Sequence, residues 1–172
     1  MHKFKRNCNS LKSIIIPESV NSIFYESSPA VITASFEYCE GLENIVVDSS
    51  NKTFKSVNNC LINISDKTLV LGCKNSVIPT DGSVTSILGK AFSGCTGLAT
   101  IVIPEAVDLI QHSAFKGCTG LTSVIFEITT GWVYKINGNP IIIESSQLAD
   151  SADAASYLIS KNTYPWIRSE AE

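Results

Sequence analysis

Ala91-Phe92-Ser93-Gly94-Cys95-Thr96-Gly97-Leu98-Ala99-Thr100-Ile101-Val102-Ile103-Pro104 recurs, in the same pattern, as Ala114-Phe115-Lys116-Gly117-Cys118-Thr119-Gly120-Leu121-Thr122-Ser123-Val124-Ile125-Phe126. Every matched position is offset by 23 residues. A fixed period in the twenties means that each copy is one structural unit, unable to bury its apolar side alone and stacked on the next to build a continuous core. Within each copy the residues Ile101, Ile103 and Val124, Phe126 alternate with Val102 and Ile125. By strand alternation the first set faces the core and the second faces away.

Working outward, the pattern reappears upstream at Cys8, Leu11, Ile14, Ile16, Pro17, Val20 and Ile23, with a strand expected within Leu11 to Ile16 and ended by Pro17, which has no N–H for a further ladder bond. It continues at Phe36, Cys39, Leu42, Ile45 and Val47, and again from Val77-Ile78-Pro79 through Val84, Ile87, Ala91 and Phe92. Ile23 to Phe36 spans thirteen residues where Ile110 to Phe115 spans five, so an excess of eight over Phe24 to Val31 is expected to loop out. The Leu-x-x-Ile-x-Ile spacing is that of a leucine-rich-repeat solenoid, mainly β with short helical or irregular turns.

Between Asp48 and Ser76 the period breaks. Cys60-Leu61-Ile62-Asn63-Ile64 and Thr68-Leu69-Val70-Leu71 flank a polar Ser65-Asp66-Lys67, which reads as a β-hairpin. With Asp66 and Lys67 as a two-residue loop, Ser65 faces Thr68 and, counting outward, Cys60 faces Cys73, at a position where side chains come closest. After Phe126 the repeat stops. Gly131 to Ile136 and Pro140 to Ile143 around Asn137-Gly138-Asn139 read as a second hairpin, and Ser151 to Leu158 as a short helix with Ser151 or Asp150 as its N-cap. Tyr164-Pro165-Trp166 is expected to pack back over the last coil. The chain is thus a single repeat domain over residues 1–172, with the first two coils at 8–47, a hairpin insertion at 48–76, the remaining coils at 77–126 and a C-terminal cap at 127–172.

Composition bounds the function. The 172 residues include 44% hydrophobic side chains, enough for one continuous core. A net charge of −3, with thirteen scattered Lys and Arg, offers no basic surface for nucleic acid. Apolar runs such as Ile141 to Ile143 fall far short of the roughly 18 residues of a membrane-spanning helix, so no membrane insertion is expected. Met1 to Arg6 is basic, yet Asn7-Cys8-Asn9-Ser10 follows where the apolar part of an export signal would stand. Opening in mid-repeat without a polar capping unit, the chain is expected to be part of a longer protein and open to self-association through the uncapped N-terminal coil.

The repeat Ala-Phe-x-x-Cys-x-x-Leu-x-x-Ile-x-Ile-Pro-x-x-Val-x-x-Ile resembles the BspA-type leucine-rich repeat of bacterial surface proteins, over Cys8 to Phe126. Asn58-Asn59-Cys60 with Gly72 to Pro79 is similar to a hairpin insertion of that family, and Gly131 to Trp166 resembles its C-terminal cap. The resemblance implies a right-handed stack of about four to five coils, a period-based count. It also implies a secreted or cell-surface location, no enzymatic activity, no cofactor, and recognition of a host or bacterial surface protein. Under the oxidising conditions that secretion implies, Cys60 and Cys73 are the candidate disulfide.

Chemistry-bearing residues are few. Cys8, Cys39, Cys95 and Cys118 share one repeat position and are expected to stack as buried free thiols; with no C-x-x-C pair and only His2 and His112, no metal site is expected. Asp108, His112 and Ser113 fall on one exposed turn and lack the pocket and oxyanion donors that a hydrolase needs. Asp48-Ser49-Ser50-Asn51 reads as a turn rather than a calcium loop. What remains is the outward side of the repeat strands, where Ser13, Asn44, Thr100 and Ser123 form a polar column beside an apolar one of Ile15, Val46, Val102 and Ile125. This is the candidate binding face for a protein. A glycan would want exposed aromatics, and the columns hold none; a structural spacer is the remaining alternative.

Overall fold

The computed structural model describes residues 9–23, 36 and 39–169. Cys8, His2 and the excess expected over Phe24 to Val31 lie outside the described residues. In chain order the elements are β1 (Ser13–Ile16), β2 (Asn44–Val47), β3 (Phe54–Val57), β4 (Cys60–Asn63), β5 (Thr68–Leu71), β6 (Ser86–Ile87), β7 (Thr100–Ile103), β8 (Leu109–Ile110), β9 (Ser123–Phe126), β10 (Trp132–Ile136), β11 (Asn139–Ile142), α1 (Ser145–Ala149), α2 (Ser151–Ser160) and β12 (Trp166–Arg168).

The repeat strands pair in parallel, one coil against the next. Ser13 to Ile16 lie opposite Asn44 to Val47, and Thr100 to Ile103 opposite Ser123 to Phe126, without a slip in register. Ile16, Ile45, Ile101, Ile103, Val124 and Phe126 are buried. A second, mixed sheet runs in the order β11-β10-β12-β8-β6-β5-β4-β3. Its β5, β6 and β8 pair in parallel; every other neighbouring pair is antiparallel.

Two cores meet at β3 to β5. Phe54, Leu61, Val70, Leu71 and Cys73 pack with Ile16, Ile23, Phe36, Leu42 and Ile45, while Cys60, Ile62 and Leu69 join the core of the later coils. Apolar residues on both sides of these strands explain their unbroken hydrophobic runs. In the larger core Phe92 stacks on Phe115 at 5.0 Å and 7°, the same repeat position in successive coils. Burying each such ring contributes about 1.5–3 kcal/mol.

Register in the first hairpin differs from the expectation. Thr68 lies opposite Asn63 rather than Ser65, four residues form the loop, and a bulge falls between Leu61 and Ile62, which leaves Leu61 opposite Leu71. The cause is side-chain chemistry in the loop: Asn63 Oδ1 accepts from Ser65 N–H at 3.0 Å, Asp66 Oδ1 accepts from Thr68 N–H at 3.1 Å, and Lys67 takes a positive φ of 54°. Cys60 therefore does not face Cys73 in the ladder. Both are free thiols in the structure.

No ladder bond continues β2 toward the third coil among the described residues, because residues 74–79 form no strand. A side chain spans the interval instead. Asn59 Oδ1 accepts from Ile45 N–H at 3.4 Å while its Nδ2 donates to the Asn75 carbonyl at 3.4 Å, the two bonds a peptide unit of an intervening strand would make. Ser56 Oγ likewise accepts from Val47 N–H at 3.0 Å. Asn58 and Asn59, with φ of 49° and 61°, form the two-residue turn between β3 and β4 that brings Asn59 there.

At the other end, α2 starts on Asp150, whose Oδ1 accepts from Ala152 and Asp153 N–H at 2.9 and 3.1 Å. Helix α1 begins with a reciprocal box between Glu144 and Gln147. Trp166 is buried and lies 6.0 Å from Phe126, 6.4 Å from Trp132 and 5.6 Å from Tyr157, ring centre to ring centre. Its strand, β12, joins β8 to β10.

Candidate functional site

The candidate face is built by the repeat strands. Ser13 lies beside Asn44 and Ile15 beside Val46; Thr100 lies beside Ser123 and Val102 beside Ile125. Ser13, Asn44 and Thr100 are exposed and Ser123 half-buried. Ile15 is 71% exposed, Val46 and Ile125 each 47%, and Val102 is half-buried between its neighbours. The eight residues thus come together as two groups of four on two separate sheets, with residues 74–79 between them in sequence.

Two features of this face were not read from the sequence. Val77 is 60% exposed and holds the repeat position of Val102, since Val77-Ile78-Pro79 matches Val102-Ile103-Pro104 at an offset of 25. The signal was available in that tripeptide. Next to the polar column, Glu43 Oε1 receives Lys12 Nζ at 3.0 Å and Lys74 Nζ at 2.8 Å, one residue from each of three coils at the matching position. The bond from Lys74, then that from Lys12, holds the Glu43 carboxyl below the usual carboxylate range. Cation, anion and cation so alternate across the coils. Exposed pairs of this kind add little stability, and they fix instead the charge pattern that a partner would meet.

No hydrogen bond joins the side chains of Asp108, His112 and Ser113, and Asp108 is engaged through its backbone with Thr85 and Arg168. Asp48 to Asn51 is a turn: Asp48 Oδ1 accepts from Ser50 N–H at 2.8 Å and its carbonyl from Asn51 N–H at 2.9 Å. Asn51 itself is a structural clamp. Buried to 6% exposure, its Nδ2 donates to the Pro17 and Val20 carbonyls at 2.8 and 2.9 Å, and its Oδ1 accepts from Thr53 and Phe54 N–H at 2.9 and 2.8 Å. Among the described residues no group of three His, Cys, Asp or Glu is placed to hold a metal, and no helix is long and apolar enough to cross a membrane.

The thiols form a column with an unforeseen member. Burial pushes the Cys95 thiol above its ordinary pKa, and Cys118, Cys73 and Cys39 lie near enough to push it further the same way. Three of these thiols reach a carbonyl of an earlier segment: Cys73 that of Glu43 at 3.3 Å, Cys95 that of Gly72 at 3.8 Å and Cys118 that of Phe92 at 3.1 Å. Burial pushes Cys60 and Cys118 up to about 12. At pH ~8 these thiols then stay protonated, and the reactive thiolate is scarce. Alkylation of the folded protein at that pH is expected to spare Cys60, Cys73, Cys95 and Cys118 until denaturant is added, and mass spectrometry of the labelled peptides checks it. Labelling at the denatured stage also counts the thiols, and recovery of both Cys60 and Cys73 as free is the result consistent with the structure.

Comparison with known proteins places these observations. A family model described as the BspA type leucine rich repeat region matches residues 2–137 in 6 copies. No curated protein matches the chain. Among solved structures, the pneumococcal vaccine antigen PcpA is similar over 66% of this chain and 27% of its own, at 19% identity and a TM-score of 0.50. A leucine-rich repeat protein from Eubacterium ventriosum is similar over 71% of this chain and 38% of its own, at 24% identity and 0.44. A leucine rich cell surface protein from Faecalibacterium prausnitzii is similar over 67% and 41%, at 22% and 0.36. The chain therefore spans less than half the length of these structures, and at 19% identity the likeness to PcpA concerns the fold alone.

Proposed function

Since the chain belongs to the BspA-type leucine-rich-repeat family, we propose that it is a non-catalytic protein-binding or adhesion module working outside the bacterial cell, with a host or bacterial surface protein as partner. The observation that carries this reading is the outward apolar column: Ile15, Val46 and Ile125 stand open to solvent beside a polar column in register. Repeated side chains on stacked strands make an extended contact surface rather than a cleft. Glycan recognition leans on exposed aromatic platforms, and neither column contains one.

The same reading takes the chain as a right-handed stack of about four to five coils, with residues 48–76 inserted as a hairpin unit and residues 127–172 closing the C-terminal end. The packing of Trp132 and Trp166 against Phe126 supports the closing role, since a solenoid end needs its last apolar layer covered.

Replacing Val102 and Ile125 together by Glu tests the face. Attachment of the purified protein to bacterial and epithelial cell surfaces is expected to fall by about tenfold or more, as a buried contact of 1.4 kcal/mol or above is lost. The thermal midpoint of the single Ile125→Glu variant is expected to be nearly unchanged. Attachment that survives both substitutions would move the site off the sheet, to the loops after Ile23 and Val47.

A further inference from the structure

The turn between β10 and β11 is built from Asn137 and Gly138, with φ of 51° and 83°. Both residues are exposed, and a methyl group built on Gly138 would meet nothing within 4 Å. Five other asparagines are held. The Asn51 amide has four partners, and Asn59, Asn63, Asn75 and Asn162 each use theirs in at least one hydrogen bond. No hydrogen bond holds the Asn137 side chain or the Gly138 N–H.

We propose that Asn137 is the chain's site of spontaneous covalent modification, by closure of the Gly138 main-chain nitrogen onto the Asn137 carboxamide. In this step the Gly138 N–Cγ bond forms and the Cγ–Nδ2 bond breaks. Nδ2 leaves as ammonia, taking up the proton that the Gly138 nitrogen gives up, and a five-membered imide remains. Water then adds across one of the two imide carbonyls and opens the ring. The product is either an aspartate or a β-aspartyl linkage, in which the main chain runs through the former side chain. Water is the only co-reactant and no electrons change hands.

Selectivity follows from what stands beside the attacking nitrogen. Gly138 has no Cβ to obstruct its approach, whereas each of the other described asparagines precedes a residue with a side chain, and Asn139 precedes Pro140, which has no N–H to lose. The consequence is local. A β-aspartyl linkage adds a methylene to the backbone of a turn that closes with two residues, so it cannot keep Ile136 opposite Asn139. Strand β11 is at the edge of its sheet, paired with β10 alone and exposed at all four residues, so the change loosens it without reaching the repeat coils.

The test is to hold the folded protein in mildly alkaline buffer and follow each asparagine by peptide mapping, with enzymatic methylation to detect β-aspartyl groups. Conversion is expected first at Asn137, several-fold ahead of every other asparagine, with faster hydrogen exchange in β11 of the converted fraction. Asn137→Gln, whose longer side chain would need a six-membered ring, is expected to remove the signal while keeping the hairpin. The proposal is overturned if another asparagine converts first, or if Asn137 stays intact in the folded protein over a period in which it converts in the denatured chain.

Discussion

Asn51→Ala is expected to destabilise the protein by about 2–4 kcal/mol and to release the first coil before the rest. The amide satisfies four backbone groups at once, two carbonyls of the first coil and the Thr53 and Phe54 N–H groups that open β3, from a position 6% exposed. Each buried polar group left without a partner costs ~1–3 kcal/mol, and the half-buried surroundings of Val20 let water recover part of the loss. Chemical denaturation should show a lower midpoint. Hydrogen exchange should show Ser13 to Ile16 exchanging faster while Thr100 to Ile103 and Ser123 to Phe126 keep their protection. Uniform acceleration across all three strands would mean that the two cores unfold as one unit and that the clamp is not local.

Gly120→Ala is expected to cost about 3 kcal/mol or more, at the upper end of what overpacking causes. A Cβ there would lie 2.1 Å from the Thr96 carbonyl oxygen, a backbone atom of the preceding coil that cannot turn aside. For a chain of this size the thermal midpoint should fall by roughly 6–12 °C. Gly97 holds the same repeat position, but a Cβ at Gly97 meets the Lys74 side chain, 3.1 Å away at Cδ. Lys74 is a flexible chain that can yield, so Gly97→Ala is expected to be several-fold milder. Equal effects at the two sites would show that the repeat glycine is required for a reason other than coil spacing.

The repeat strands and the helix α2 were legible in the sequence because their signals are local and periodic: alternating apolar residues for one, Asp150 ahead of an alanine-rich stretch for the other. Ile15, Val46, Val102 and Ile125 are placed outward by nothing more than strand parity. Elements set by side-chain hydrogen bonds were not legible. Asn63 and Asp66 look like loop residues in either register, and only their bonds to Ser65 and Thr68 choose the longer loop and take Cys60 out of the ladder position opposite Cys73. Short strands such as β6, β8 and β12 escaped because two or three residues carry no period, and their pairing comes from partners as far away as Ile110 and Trp166. Asn51 was read as a turn residue, which it is, but its clamp depends on carbonyls more than thirty residues upstream.

The Asn59 amide is the feature that shapes how the outward face can be presented. Along β1–β2 and along β7–β9 a peptide ladder sets one strand rigidly against the next, whereas beside residues 74–79 side-chain bonds stand in for it, the two of Asn59 at 3.4 Å and those of Cys73, Lys74 and Asn75 to Glu43 at 3.3, 2.8 and 3.3 Å. The surface is therefore two panels joined at a seam of side-chain bonds, and the β3–β4 turn supplies the Asn59 part of that seam. Contact chemistry and seam thus meet in one residue, since Glu43, which carries the charge pattern of the face, also holds Lys74 across the seam.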